Sequence, residues 1–87
     1  AQEALTTLQV RVSAEGEMAL NGIRFKAGAS AALARAMMSA AASQDTVRVV
    51  IDADAQAPHQ AVVTVMEAAG LAGLTQLHFS TRPANGR

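Results

Sequence analysis

Apolar and polar residues alternate from Leu8 to Val12 as Leu-Gln-Val-Arg-Val, the period of a strand with one face buried and one in water. Ala14-Glu15-Gly16-Glu17 is a turn signal, and Met18-Ala19-Leu20 follows as a short second strand. Asn21-Gly22 is a strong hairpin dipeptide because both residues accept positive φ, so Ile23-Arg24-Phe25 is expected to pair back as a third strand. The period then changes. Between Ala31 and Ala42, Leu33, Ala36, Met37 and Ala40 recur at helical spacing, which predicts an alanine-rich helix with a narrow apolar stripe ended by Ser43-Gln44-Asp45. Val47-Arg48-Val49-Val50-Ile51-Asp52 reads as a central strand. Pro58 sits where a first helical turn tolerates it, and Val62, Val65, Met66 and Ala69 mark a second helix that Gly70 and Gly73 end. Thr75 to Ser80 is the last strand, with Leu77 and Phe79 inward and Gln76, His78 and Ser80 outward.

The order is therefore β-β-β-α-β-α-β. Because the strands alternate instead of running continuously apolar, only one sheet face is covered, and both helices belong on the same side. This is an α+β fold, a two-layer sandwich with two helices on one face of a mixed sheet. The β-α-β unit from Val47 to Ser80 is expected to be parallel with a right-handed crossover. Residues 1–7 are expected to form a flexible N-terminal linker, residues 8–81 the domain and residues 82–87 a C-terminal tail. An open sheet edge invites another strand, so strand addition or dimerisation is the natural use of such a fold.

Composition narrows this picture. Among 87 residues, 51% are of hydrophobic type, yet there are two Phe and no Trp or Tyr, so the core must be thin and built from Val, Leu, Ile and Met. Seven basic and seven acidic residues cancel, leaving no positive field to attract nucleic acid. The absence of cysteine excludes disulfides, thiol nucleophiles and cysteine-based metal sites. No run approaches the roughly 18 apolar residues of a spanning helix. The start at Ala1 fits a domain cut from a longer, anchored protein.

The segment from Val49 to Ala69, reading Val-Val-Ile-Asp-Ala-Asp-Ala-Gln-Ala-Pro-His-Gln-Ala-Val-Val-Thr-Val-Met-Glu-Ala-Ala and continuing through Gly70-Leu71-Ala72-Gly73-Leu74-Thr75, resembles the ExbD/TolR family. There a strand ends in an acidic turn, a spacer leads to a helix with a Val-x-x-Val-Met-acidic pattern, and an Ala-Gly-aliphatic step opens the last strand. The Leu20-Asn21-Gly22-Ile23 hairpin is similar to the family's second and third strands, and the resemblance runs from about Leu8 to Pro83. The chain departs from the pattern in the spacer, where Ala57 and His59 stand in place of a Val and a Tyr-like residue. The resemblance implies a non-enzymatic, homodimeric domain on the periplasmic side of the bacterial inner membrane, anchored by a single membrane helix. It also implies association with an ExbB- or TolQ-type channel and contact with a TonB- or TolA-type energy transducer. The ExbD-like reading places the domain in a system driven by proton-motive force for transport across the outer membrane. The TolR-like alternative binds peptidoglycan and serves envelope integrity. A small ligand-sensing regulatory domain is a further alternative.

The candidate cluster for chemistry is Asp52, Asp54 and His59, two carboxylates at the end of a strand and an imidazole at a helix start. Asx residues favour turns and caps, so Asp54, Pro58 and His59 are read as turn and helix-cap residues, with Asp52 on the solvent face. Two histidines cannot supply a three-ligand zinc spacing, and no catalytic, cofactor-binding or metal-binding residue is assigned. Met37 is read as core and Met38 as a partly exposed neighbour. Arg35 and Arg48 could meet a partner's carboxylate, but isolated surface arginines are usually solvated. The segment assigned to a partner or dimer strand is Thr75, Gln76, Leu77, His78, Phe79 and Ser80, with main-chain groups giving affinity and His78 and Ser80 giving selectivity.

Overall fold

The computed structural model describes residues 5–42 and 46–82. Its elements are β1 (Leu5–Val12), β2 (Met18–Leu20), β3 (Ile23–Phe25), α1 (Ser30–Ala41), β4 (Thr46–Asp54), α2 (His59–Leu71) and β5 (Leu77–Arg82). The sheet order is β3-β2-β1-β4-β5. β1 pairs antiparallel with β2 and parallel with β4, β2 pairs antiparallel with β3, and β4 pairs parallel with β5. The sheet is mixed, the β4-α2-β5 unit is parallel, and the expected α+β sandwich is the fold of the chain.

β1 begins at Leu5, which brings three residues of the expected linker into the sheet. The reason is non-local: the nine-residue β4 offers a register partner all the way back to Leu5, opposite Thr46. Residues 1–4, the expected helix stop at Ser43–Asp45 and the tail from Pro83 onward lie outside the described residues.

The two turns of the first half have different chemistry. Asn21 and Gly22 both take positive φ, 49° and 92°, as a tight antiparallel hairpin requires. Asn21 also continues the ladder: its N–H donates to the Gln9 carbonyl at 2.9 Å, and its Oδ1 accepts from the Gln9 N–H at 2.9 Å. In the β1–β2 turn the Ser13 hydroxyl oxygen accepts from the N–H groups of Glu15 and Glu17. Gly16 there combines φ +88° with burial against Pro58 and Ala61, so the turn is seated on the start of α2.

Both helices pack on one face, over β1, β2 and β4, and against each other. The core joins Leu8, Val10, Val12, Met18, Leu20, Val49 and Ile51 of the sheet to Leu33, Met37 and Val65 of the helices. No aromatic ring lies within it. Met37 is fully buried and Met38 is 53% exposed. The helical stripes are rotated from their expected phase. In α1, Ala34 is buried and Ala40 is exposed. In α2, Ala61, Thr64, Val65, Ala68 and Ala69 are buried while Val62 is half-buried and Met66 exposed. α2 has to face both α1 and the sheet, and small residues permit the closest approach to both. Thr64 tolerates burial because its hydroxyl donates to the Gln60 carbonyl at 2.9 Å.

Pro58 is the residue before α2, with extended ψ of 140°, one position ahead of the first turn where it was expected. Gly70 lies inside the helix. The stop is Gly73 alone, in the left-handed region at φ +77°. Its N–H donates to the Gly70 carbonyl at 3.1 Å and the Leu74 N–H to the Ala69 carbonyl at 2.9 Å, the paired bonds of a Schellman motif. Leu74 then packs against the core, which aims the chain toward β5.

Candidate partner-binding edge

β5 lies at the end of the sheet, and no strand among the described residues pairs with its outer side. The expected strand Thr75 to Ser80 is shifted by two residues, to Leu77–Arg82. Thr75 and Gln76 belong to the approach, although the Gln76 carbonyl already accepts from the Val49 N–H at 2.8 Å. That bond fixes which groups face outward. In a parallel ladder alternate residues address opposite neighbours, so Gln76, His78 and Ser80 turn their main-chain groups toward β4. Leu77, Phe79 and Thr81 turn theirs away from the sheet.

The side chains divide by the same register. Leu77 pairs with Val49 and Phe79 with Ile51, so both stand on the helix-covered side. Leu77 is half-buried. Phe79, expected inward, is 55% exposed, because the helices pack mainly over β1, β2 and β4. The apolar row of the sheet thus runs out past its cover. On the other side His78 sits opposite Val50 and Ser80 opposite Asp52, all facing away from the helices. Near the start of β5 an open cavity of about 470 Å³ is lined by Met38, Val47, Gly73, Leu74, Thr75 and Gln76, among others.

The residues weighed for chemistry do not form one centre. The Asp54 Oδ1 accepts from the Gln56 N–H at 2.8 Å, closing the turn after β4, and its carbonyl accepts from the Ala57 N–H at 2.8 Å. α2 begins without a side-chain cap, so neither Asp54 nor His59 caps it, and His59 is exposed. Asp52 points to the open face, with the Ser80 hydroxyl 3.5 Å from its Oδ1. Among the described residues no group of three or more His, Cys, Asp or Glu side chains could hold a metal ion. Arg35 is exposed on α1. Arg48 is half-buried on the open face, with its Nε enclosed and without a hydrogen-bond partner among the described residues.

Sequence reasoning missed the row Arg11, Ala19 and Arg24, which three strands align on the open face. The signal was present, since each is the polar or small position of an alternating strand. Only the register brings them together.

Fold and edge together define a class: a small, open-faced α+β sandwich that carries a long exposed parallel strand at one edge. The family model described as biopolymer transport protein ExbD/TolR matches residues 1–84, nearly the whole chain, and the protein belongs to that family. No curated protein matches the chain. The family consists of transport-related, inner-membrane-anchored proteins with periplasmic domains, and such proteins are subunits of energy-transducing transport complexes. No helix among the described residues is long and apolar enough to cross a membrane.

Proposed function

We propose that this chain is the periplasmic domain of an ExbD-like subunit, and that it captures an extended segment of a TonB-type transducer as an added strand along β5. It works as a homodimer, and the membrane helix of the full-length subunit associates with an ExbB-type channel. Motion of that anchor reaches the transducer as force or as a change in dimer geometry. The domain itself is not an enzyme.

The observation that supports this reading is the outward row of Leu77, Phe79 and Thr81, whose main-chain groups lie on the unpaired side of β5. Main-chain pairing gives affinity that depends little on sequence, and alternate side chains give choice. Here His78 and Ser80 line one face of an added strand, and Phe79 the other.

The test is an amide-resolved NMR titration of the labelled domain with peptides tiling the periplasmic linker of a TonB- or TolA-type protein of the same organism. Saturable shifts along β5 are expected, and the peptide that produces them identifies the branch of the family. Phe79→Pro removes an outward N–H, so it should abolish capture where Phe79→Ala only weakens it. Equal binding by the two variants, both folded, sinks strand addition. Pelleting of the domain with purified sacculi, without response to any peptide, would instead favour the TolR-like function in peptidoglycan binding.

A further inference from the structure

At the sheet edge remote from β5, Arg11 of β1 pairs with Ala19 of β2, and Ala19 with Arg24 of β3. The three side chains form one row on the uncovered face, with the two arginines two strand spacings apart, about 10 Å between their Cα atoms. Only a methyl group stands between them. Two hollows of about 250 Å³ each meet over Ala19. One is lined by Arg11, Ser13, Glu17 and Arg24, the other by Gln9, Arg11 and Asn21. Both arginines are exposed, and in the parallel ladder Arg11 stands opposite Asp52 of β4 on the same face.

We propose that this trough is a carboxylate-binding site that accepts a short acidic segment of a partner polypeptide. It lies on different strands from the β5 edge and stands whether or not β5 captures a transducer. A guanidinium presents a planar fork that matches a carboxylate with two parallel hydrogen bonds. Two such forks rising on either side of an alanine can close on one carboxylate, or on two successive ones of an extended chain. Charge selects the sign of the occupant. The chain as a whole is neutral, but this corner gathers Arg11, Arg24 and Lys26 against Glu17 and Asp52. Size selects the scale, because hollows of this volume admit a few side chains and not a folded surface. Glu17 gives direction: it lines the trough and also the adjoining hollow beside Phe25 and Lys26. A bound carboxylate is therefore repelled from that end, and by Asp52 beyond Arg11, and is held over Ala19, with a neutral or cationic group of the ligand toward Glu17.

The test titrates the labelled domain with the peptide acetyl-Ala-Glu-Ala-Glu-Ala-amide, with its Gln counterpart and with a soluble muropeptide. Saturable amide shifts are expected at Gln9, Arg11, Ala19 and Arg24 with the Glu peptide alone, weakening as salt is raised. Arg24→Gln should weaken binding by about tenfold, the scale of a lost charged hydrogen-bond pair, and Arg24→Lys by less. Ala19→Leu should fill the trough and abolish binding; if that variant fails to fold, the Arg24 series decides alone. Equal shifts from the Gln peptide, shifts confined to β5, an unaffected Arg24→Gln variant, or no shifts at all would each overturn the site. A response to the muropeptide alone would replace the acidic segment by cell wall as the occupant.

Discussion

At one edge of the sheet β3 runs for three residues, tied to β2 by a hairpin of two positive-φ residues; at the other β5 runs for six and is tied to β4 only through a helical crossover. A three-residue strand that carries Arg24 at its centre and is followed by Lys26 makes a poor template for another chain, since short length and charge both blunt an edge. β5 has neither protection. It is longer, it carries a 55% exposed Phe79, and its outward row of Leu77, Phe79 and Thr81 contains no charged residue. The contrast shows that an exposed edge is not an inevitable cost of this fold. One edge is blunted by local chemistry while the other is left free to pair.

The sharpest way to break this comparison is to place proline at neighbouring positions of β5. Ser80 turns its main chain toward β4, so Ser80→Pro removes a ladder donor and sets the ring against the partner strand, at a cost on the order of 3 kcal/mol. Thr81 turns outward, and Thr81→Pro should cost about 1 kcal/mol or less, as prolines on a solvent-facing edge do. Chemical denaturation of the two variants measures both. Equal losses would mean that the alternation inferred from the Val49–Gln76 bond is wrong, and with it the outward face available to a partner.

A smaller effect is expected where the other edge is fixed. Asn21→Ala deletes the side-chain acceptor for the Gln9 N–H and puts at a left-handed position a residue without the short polar side chain by which Asn tolerates it, for a loss of about 1–2 kcal/mol. Gly22→Ala meets no atom within 4 Å, so its cost is conformational alone, about 1 kcal/mol. Hydrogen exchange should show both losses at Gln9 and along β2, with the amides of β5 unchanged. Faster exchange at β5 as well would show that the two edges open as one cooperative unit.

What could be read in the sequence follows the same division. The hairpin was legible because Asn-Gly acts over two residues, and the strands were legible because alternation is local. The β4-α2-β5 unit was legible as a connection, but the position of β1 between β2 and β4 was not, since it rests on pairing between segments some forty residues apart. The missing knowledge of that order had direct consequences. It hid the row of Arg11, Ala19 and Arg24. It also made Phe79 look buried, because an inward-facing residue is covered only if a helix reaches its strand. The helical stripes failed for a related reason. Val62 and Met66 are more hydrophobic than Ala61 and Ala68, yet the small residues face the crowded side, where two layers meet. The turn at Asp54 could be anticipated from Asx preference. That α2 starts without a side-chain cap could not, because Pro58 takes the place a capping side chain would use.

The smallest expected change in folding stability tests the comparison most directly. Phe79→Lys replaces a ring that is already more than half exposed, so stability should shift by no more than about 0.5 kcal/mol. Its effect on association should be much larger, because lysine on an edge strand is a standing obstacle to pairing with a second chain. Sedimentation equilibrium over a range of protein concentrations is expected to show self-association of the wild-type chain shifted strongly toward monomer in the variant, with peptide capture along β5 lost in parallel. Arg24→Ala, made at the opposite edge as a control, should leave self-association where it was. If Phe79→Lys unfolds the domain, the ring belongs to the core after all. If it leaves both stability and association unchanged, copies of the chain meet somewhere other than β5, and the exposed strand is free for a transducer alone.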